Sequence, residues 1–232
     1  CTAAAVRSSL GTGEAVEDVI TLVDNLHSME ITGKAAGAWI RTVEAAVQPT
    51  SVPELVWSGP EVQGLHARDT RQVFQQLLSS ATKSVWCSTY AYFDGPRAFE
   101  IMASRMDEVT SLHVALMLNI QRKKGDTSSP DSLVRRFADD FWGKDWPGKR
   151  RPEVFYDPRS LDVDGPTGVL HAKAVVVDDE EVFISSANMT EAALDRNIEM
   201  GLLVRDRALA ASVVLHFRTL VDQGLLLALP AE

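Results

Sequence analysis

The sequence contains little cysteine and lacks any long apolar run. Cys1 and Cys87 are its two cysteines, too few for the disulfide framework of a small secreted domain. No apolar run approaches the roughly 18 residues that a membrane-spanning helix needs. These absences favour a reducing, cytoplasmic setting. The chain starts at Cys1 rather than Met and shows no signal-peptide pattern, so we expect a missing or removed leader. A processed lipoprotein would also begin with cysteine, and this alternative stays open.

Basic residues are also scarce, with 23 Lys and Arg against 32 Asp and Glu and a net charge of −9. This balance argues against a protein that coats nucleic acid nonspecifically. Residues 121–151 depart from it: nine Lys or Arg and five Asp give this stretch +4, which leaves −13 for the rest of the chain. The stretch is either a phosphate-binding surface or a solvated loop face.

Two regions differ in their apolar pattern. Residues 1–50 repeat apolar side chains at helical spacing, which predicts a helical hairpin that Pro49 ends. From residue 54 onward, strand and helix patterns alternate, as is typical of an α/β sheet. We therefore predict an N-terminal helical extension over 1–50 and an α/β domain over 54–232.

The alternation in the second region predicts seven strands and four helices. The predicted strands are Leu55–Ser58, Val85–Tyr92, Leu112–Leu118, Glu153–Tyr156, Leu170–Val177, Val182–Ser185 and Ile198–Val204. The predicted helices are Asp69–Ser80, Arg97–Met106, Asp131–Phe141 and Arg207–Asp222, with N-caps at Asp69 and Asp131. Asn119–Pro130 and Trp142–Pro152 are predicted loops.

The segment from His171 to Asn188 carries the most chemical information. Side chains alternate along a strand, so His171 and Lys173 are predicted to project from the same face. A phosphate would give these two polar groups a partner on an otherwise apolar strand. The turn Ser185–Asn188, ahead of a short helix capped by Thr190, can offer a hydroxyl, an amide and backbone N–H groups to an anion.

These residues fit the pattern H-x-K-x4-D-x6-(G/S)-S-x-N, the signature of the phospholipase D superfamily. The matching positions are His171, Lys173, Asp178, Ser186 and Asn188, with Ser185 in place of the commoner glycine. The chain therefore resembles that superfamily, and Glu199 falls where its histidine-orienting carboxylate is expected. The resemblance implies a phospholipase D-like α/β/α sandwich with a mixed central sheet.

The resemblance also implies a metal-independent phosphodiesterase without a cofactor. His171 would attack phosphorus and form a phosphohistidine, and a second histidine would protonate the leaving oxygen. The non-bridging oxygens would be held by Lys173, Asn188 and Ser186. Glu199 would fix the tautomer of the histidine. Asp178, at the far end of the strand, is expected to act structurally more than chemically.

The sequence contains a single copy of the motif, although the family mechanism uses two. The other histidines lack a lysine two residues further on; they are His27, His66, His113 and His216. Superfamily members with one copy typically pair their motifs across a two-fold axis. The resemblance therefore implies a homodimer with one shared site.

Softer features resemble one branch, the phospholipase D-like protein of the DISARM anti-phage system. They are the helical hairpin, ELVWSGPEV, ARDTRQVFQQLL, a strand ending in YAYF and the single late motif. This resemblance implies a role in anti-phage defence and defence-system protein partners.

The leading functional hypothesis is a nuclease that acts on DNA or RNA. The enzyme alternative is a phospholipase, although no amphipathic membrane-binding helix is evident. The alternative from another class is a non-catalytic module that binds nucleic acid or a defence partner. Aromatic residues near the strand ends, Tyr90, Tyr92 and Phe93, are expected to line or underlie the site. Trp142 and Trp146 either stack bases or pack a loop onto the domain.

Overall fold

The computed structural model describes residues 3–10, 14–46, 52–61, 63–64, 66–163 and 168–231. The chain divides into two compact units, Cys1–Thr50 and Ser51–Glu232. The first contains helices α1 (Ala3–Leu10), α2 (Glu14–Ser28) and α3 (Gly33–Ala46). The predicted hairpin corresponds to α2 and α3, and α1 was not predicted. Cys1 and Pro49 lie outside the described residues.

The second unit is built on a nine-stranded mixed sheet. Its strands are β1 (Glu54–Ser58), β2 (Arg68–Asp69), β3 (Ser84–Thr89), β4 (His113–Leu118), β5 (Glu153–Tyr156), β6 (Ala174–Val177), β7 (Glu181–Ser185), β8 (Glu199–Arg205) and β9 (Leu227–Ala228). Their order across the sheet is β2-β1-β8-β7-β6-β3-β4-β5-β9. The strands β3, β4 and β5 run parallel, whereas β6, β7 and β8 form an antiparallel meander.

Helices cover both faces of this sheet. They are α4 (Thr70–Ser80), α5 (Gly95–Glu108), α6 (Pro130–Asp140), α7 (Glu191–Asp195) and α8 (Arg207–Asp222). Side chains of α4, α5 and α6 share one buried cluster with one face of the sheet. Ala210 and Val214 of α8 pack with Val176 and Val182 on the opposite face. The chain therefore has the predicted α/β sandwich with a mixed sheet.

The ends of two helices differ in how well the sequence predicted them. Asp69 caps α4 as expected and accepts a 2.8 Å hydrogen bond from the backbone N of Gln72. The cap of α6 is Ser129 rather than Asp131, because Pro130 occupies the first helical position. The loop predicted from Trp142 instead begins within a π-helix, Phe141–Asp145.

The antiparallel meander brings three chain segments together at the same end of strands β6, β7 and β8. Ala174 at the start of β6 pairs with Ile184 near the end of β7. Ser185, which ends β7, pairs with Gly201 near the start of β8. Residues just before β6, just after β7 and at the start of β8 therefore lie near one another.

Asp178 lies at the opposite end of β6 and ties that strand to the start of β3. Its carboxylate accepts hydrogen bonds from the backbone N of Thr82, Lys83 and Ser84, at 2.7 to 3.1 Å, and from the Thr82 hydroxyl at 2.7 Å. Partial burial acts to raise the pKa of Asp178, but these hydrogen bonds outweigh it and hold the pKa below its ordinary value. These hydrogen bonds suit the structural role that the sequence predicted for Asp178.

Candidate active site

His171 and Lys173 converge immediately before β6. The Nζ of Lys173 donates to the carbonyl oxygen of His171 at 2.9 Å and lies 3.1 Å from Nδ1 of the same ring. The strand itself begins at Ala174, one residue after the predicted pair. His171 is exposed and Lys173 is half-buried. The imidazole and the ammonium group therefore form one polar site that a ligand can reach.

The charge of Lys173 is held in a partly desolvated position. Burial lowers the pKa of Lys173 below its ordinary value, while the negative charge of Glu199 acts in the opposite direction. An anionic ligand stabilises an ammonium group that has lost part of its water shell. A phosphate bound at His171 would supply that counter-charge.

Tyr90 forms one wall of the site, as the sequence predicted. Its ring centroid lies 4.7 Å from that of His171, with the planes tilted by 53°. The Nζ of Lys173 lies 5.7 Å from the same tyrosine centroid. The pairing of β3 with β6 produces this contact, since Tyr90 directly follows β3 and His171 precedes β6.

Tyr92 and Phe93 do not contact His171. Tyr92 donates to a carboxylate oxygen of Asp145 at 2.8 Å and packs against Phe99, so it supports the domain interior. Phe93 is 73% exposed and lines a separate groove between α4, α5 and α7.

Glu199 has other partners than the one expected. Its carboxylate accepts hydrogen bonds from the hydroxyl of Ser186 and, at 3.3 Å, from the amide of Asn197. The predicted hydrogen bond from the His171 ring to the Glu199 carboxylate is absent within the described part of the single chain. The pairing of β7 with β8 explains this: Ser186 also accepts from the backbone N of Met200 at 3.1 Å, which places its hydroxyl beside Glu199.

The turn after β7 forms as predicted, and Thr190 caps the short helix that follows it. The Oγ of Ser185 accepts from the backbone N of Ala187 at 3.0 Å, and Thr190 caps α7 by accepting from the backbone N of Ala193 at 3.2 Å. The Oδ1 of Asn188 is buried without a hydrogen-bond partner among the described residues. An amide oxygen accepts hydrogen bonds, so a contact of this side chain with a phosphate oxygen would have to come from its N–H groups.

Most cations of residues 121–151 hold the fold together. Hydrogen bonds or ion pairs within the domain occupy Arg122, Arg136, Lys144, Arg150 and Arg151. The two tryptophans also pack: Trp146 donates to the carbonyl of Arg150 at 2.7 Å, and Trp142 to that of Pro230 at 2.6 Å. The packing alternative for these tryptophans is therefore confirmed.

The described ranges contain neither a metal-binding cluster nor a membrane-spanning helix. Within them, no group of three or more His, Cys, Asp or Glu side chains is arranged to hold a metal ion. Within the same ranges, no helix has both the length and the apolar character to span a bilayer.

Comparison with known proteins identifies the family and supports the fold. A family model described as "Cardiolipin synthase, PLD-like domain" matches residues 74–221. This match covers more than half of the chain, and the chain therefore belongs to the phospholipase D-like superfamily of phosphodiesterases. DISARM protein DrmC of Bacillus paralicheniformis is 26% identical over 161 residues, which are 68% of this chain and 58% of that protein. The chain thus spans less than two thirds of that relative's length.

Two solved structures share the fold. NucT from Helicobacter pylori aligns with a TM-score of 0.51 at 16% identity, over 76% of this chain and 99% of that one. Phosphatidylserine synthase from Haemophilus influenzae aligns with a TM-score of 0.51 at 18% identity, over 79% of this chain and 41% of that one. At such identities the likeness establishes the fold alone.

Proposed function

We propose that this protein is a metal-independent nuclease that cleaves phosphodiester bonds through a phosphohistidine at His171. The main support for this proposal is the position of the Lys173 ammonium beside the exposed His171 ring, with Nζ 3.1 Å from Nδ1. A nucleophile and a fixed cation at one open point suit attack on an anionic phosphorus centre.

The proposed reaction proceeds in two displacements. His171 attacks phosphorus, the bond from phosphorus to the leaving oxygen breaks, and a second histidine gives that oxygen a proton. Water then attacks the phosphohistidine, gives a proton to the second histidine, and releases His171 as the P–N bond breaks. Lys173 and the amide of Asn188 stabilise the charge on the non-bridging oxygens in both steps.

The second histidine is proposed to be the partner's His171 in a homodimer. An exposed apolar surface next to the site supports such an interface. It consists of Leu55, Ile184, Met200 and Leu202, each between 42% and 56% exposed. Leu55 and Ile184 both pair with Leu202 across neighbouring strands, so these residues form a row on one face of the sheet. A contiguous apolar surface of this kind is typical of a protein interface.

The homodimer also gives Glu199 a proposed function that the single chain does not provide. Its bonds to Ser186 and Asn197 fix the carboxylate at the edge of the site. Across a two-fold axis, that carboxylate would be available to the partner's His171 and would orient its ring.

Nucleic acid is the proposed substrate class, with DNA and RNA both included. A lipid phosphodiester is the second candidate, because the matching family model is described as a cardiolipin synthase domain and one structural neighbour is a phosphatidylserine synthase. The likeness to DISARM protein DrmC supports a role in anti-phage defence, together with other proteins of such a system. We place the protein in the cytoplasm, where the buried thiol of Cys87 would stay reduced.

Three substrates separate these alternatives: single-stranded DNA, RNA and phosphatidylcholine vesicles, each incubated with the protein in excess EDTA. We expect cleavage of a nucleic acid that persists in EDTA and disappears in His171→Ala. Turnover of the lipid alone would overturn the nuclease proposal. Binding of nucleic acid without cleavage of any substrate would instead identify a non-catalytic module.

A further inference from the structure

A cavity of about 400 Å³ is lined in part by Tyr90, the residue whose ring contacts His171. Its described walls come from residues 119–127 and from Ser160, Asp162, Val163 and Val169. We call it the Tyr90 groove, because the ring that contacts His171 also lines this cavity. A volume of this size suits a small-molecule unit such as a nucleotide.

The wall formed by residues 119–127 is fixed by hydrogen bonds. The Arg122 guanidinium donates to the carbonyl oxygens of Leu161, Asp126 and Ser128 at 2.7 to 3.0 Å. Asn119 accepts a 3.3 Å hydrogen bond from the backbone N of Leu170, the residue before His171. The groove is therefore joined directly to the segment that carries the nucleophile.

Among the described residues, the cations on this wall have no acidic partners, whereas one of its carboxylates has a basic partner. All partners of Arg122 are neutral carbonyl groups, whereas Asp126 is paired with Arg136 at 2.9 Å. Lys123 and Lys124 are exposed and line the groove, and neither has an ion-pair partner among the described residues. Against these three cations stand the carboxylates of Asp126 and Asp162, so the described wall keeps a net positive charge although the chain as a whole is acidic.

We infer that the Tyr90 groove binds the nucleotide next to the scissile phosphodiester, with its phosphate held by Lys123 and Lys124. The inference rests on the proposed nucleic-acid substrate and extends it by a second binding position. A shared tyrosine between the two positions lets one strand pass from the groove to His171, and an aromatic ring can stack on a base of any sequence. This arrangement gives an acidic protein a local attraction for a polyanion.

The test compares two double variants that remove the same charge. Lys123→Gln with Lys124→Gln changes the groove, and Arg135→Gln with Lys149→Gln removes two exposed cations from the same stretch but outside the groove. Both are made in full-length His171→Ala protein, so that binding is measured without cleavage. The probes are a fluorescein-labelled single strand of about ten nucleotides and a dinucleotide with one phosphodiester.

We expect the groove variant to bind the longer strand at least about fivefold more weakly and to reduce the slope of log K against log salt by about 1.4, which is two phosphate contacts. The control variant should change both quantities much less, and the dinucleotide should discriminate little between the variants. The inference would be overturned if both double variants lost the same affinity for the longer strand, or if the groove variant lost the same affinity for both probes. Lysine-dependent binding to vesicles of phosphatidylcholine and phosphatidylserine by a protein that does not bind the longer strand would also overturn it.

Failure of the inference differs from failure of the nuclease proposal. Turnover of bis(p-nitrophenyl) phosphate by the unaltered protein, compared with His171→Ala, reports the chemistry at His171 without any neighbouring nucleotide. Turnover together with equal binding losses would reject the groove and leave the phosphodiesterase standing. Groove-dependent binding without turnover would reject the nuclease and leave the groove as a nucleic-acid site.

Discussion

The Nζ of Lys173 lies 3.1 Å from Nδ1 of His171 and donates to the carbonyl oxygen of the same residue at 2.9 Å. This relationship defines the site, because it fixes a cation beside the proposed nucleophile before any substrate binds. Lys173→Gln removes that charge while keeping a polar side chain. We predict that kcat/KM falls about 10²- to 10³-fold, as for the loss of one group that stabilises a transition state.

The alkaline limb of the pH profile should report Lys173. Burial lowers its pKa, with Glu199 opposing, and the charged form is the one that stabilises phosphate. Activity should therefore fall as pH rises through this lowered pKa, at a pH below the roughly 10.4 of an ordinary lysine. In Lys173→Arg the limb should move to higher pH, because the guanidinium keeps its proton. An unchanged alkaline limb in the kcat/KM profile of that variant would show that another group titrates.

Mixing of subunits tests the shared site. If one site needs both histidines, hybrids of unaltered and His171→Ala chains are inactive. Activity should then fall with the square of the unaltered fraction after the two proteins are refolded together, with the dimer confirmed by sedimentation. A linear decline, or full activity in a protein that sediments as a monomer, would contradict pairing of the two histidines.

Asp178 should matter for stability. Asp178→Asn removes charge-assisted hydrogen bonds to the backbone of residues 82–84, and we predict a loss of about 1–2 kcal/mol in unfolding free energy, since solvent screens this partly exposed carboxylate. Asparagine tolerates the left-handed φ of 54° at this position. Asp179→Asn is the matched control: it is exposed, has a φ of 57° and lacks such bonds among the described residues.

The same carboxylate sets a pH dependence with a definite sign. The folded pKa of Asp178 is lowered, so its contribution is complete above the unfolded pKa of about 3.9 and is lost as pH falls through the folded value. Urea unfolding at several acidic pH values should show a shallower loss of stability in Asp178→Asn than in the unaltered protein. If the unfolding free energy fell equally steeply with pH in both proteins, Asp178 would not be the cause of the acid sensitivity.

Cys87 should be chemically inert in the folded protein. Burial raises the pKa of this thiol to about 12, and its Sγ lies 3.7 Å from the Sδ of Met189 inside the core. In a Cys1→Ser background, a thiol reagent such as dithiobis-nitrobenzoate should react only after denaturant is added. Rapid stoichiometric reaction without denaturant would show that the core around β3 opens readily.

The sequence predicted the main sheet because strand and helix periodicities are strong there. It missed β2 and β9, since strands of two residues carry no periodicity and depend on a neighbouring strand. It extended the strand of His171 to Leu170, although regular pairing begins at Ala174. Helix α6 begins one residue earlier than predicted, because Pro130 fits the first helical position and Ser129 supplies the capping oxygen.

At the site, spacing along the chain predicted the residues better than their contacts. The motif placed His171 and Lys173 together because they are two positions apart. The partner of Glu199 could not be predicted this way, because the register between β7 and β8 puts Ser186 beside it. The Tyr90 groove could not be predicted from the sequence either, since it arises where the segment after β4 meets Ser160, Asp162, Val163 and Val169. Charge composition alone could not predict that Lys123 lines a cavity whereas Arg150 donates hydrogen bonds that stabilise the fold.

Trapping of the covalent intermediate tests directly whether His171 is the nucleophile. The protein is mixed with a ³²P-labelled phosphodiester in EDTA, quenched in alkali within the first turnover, digested and analysed by mass spectrometry. We expect an acid-labile, alkali-stable phosphohistidine adduct that keeps one ester group of the substrate, on the peptide that carries His171 and absent from His171→Ala. Cleavage without such an adduct, or an adduct on another residue, would contradict this role of His171.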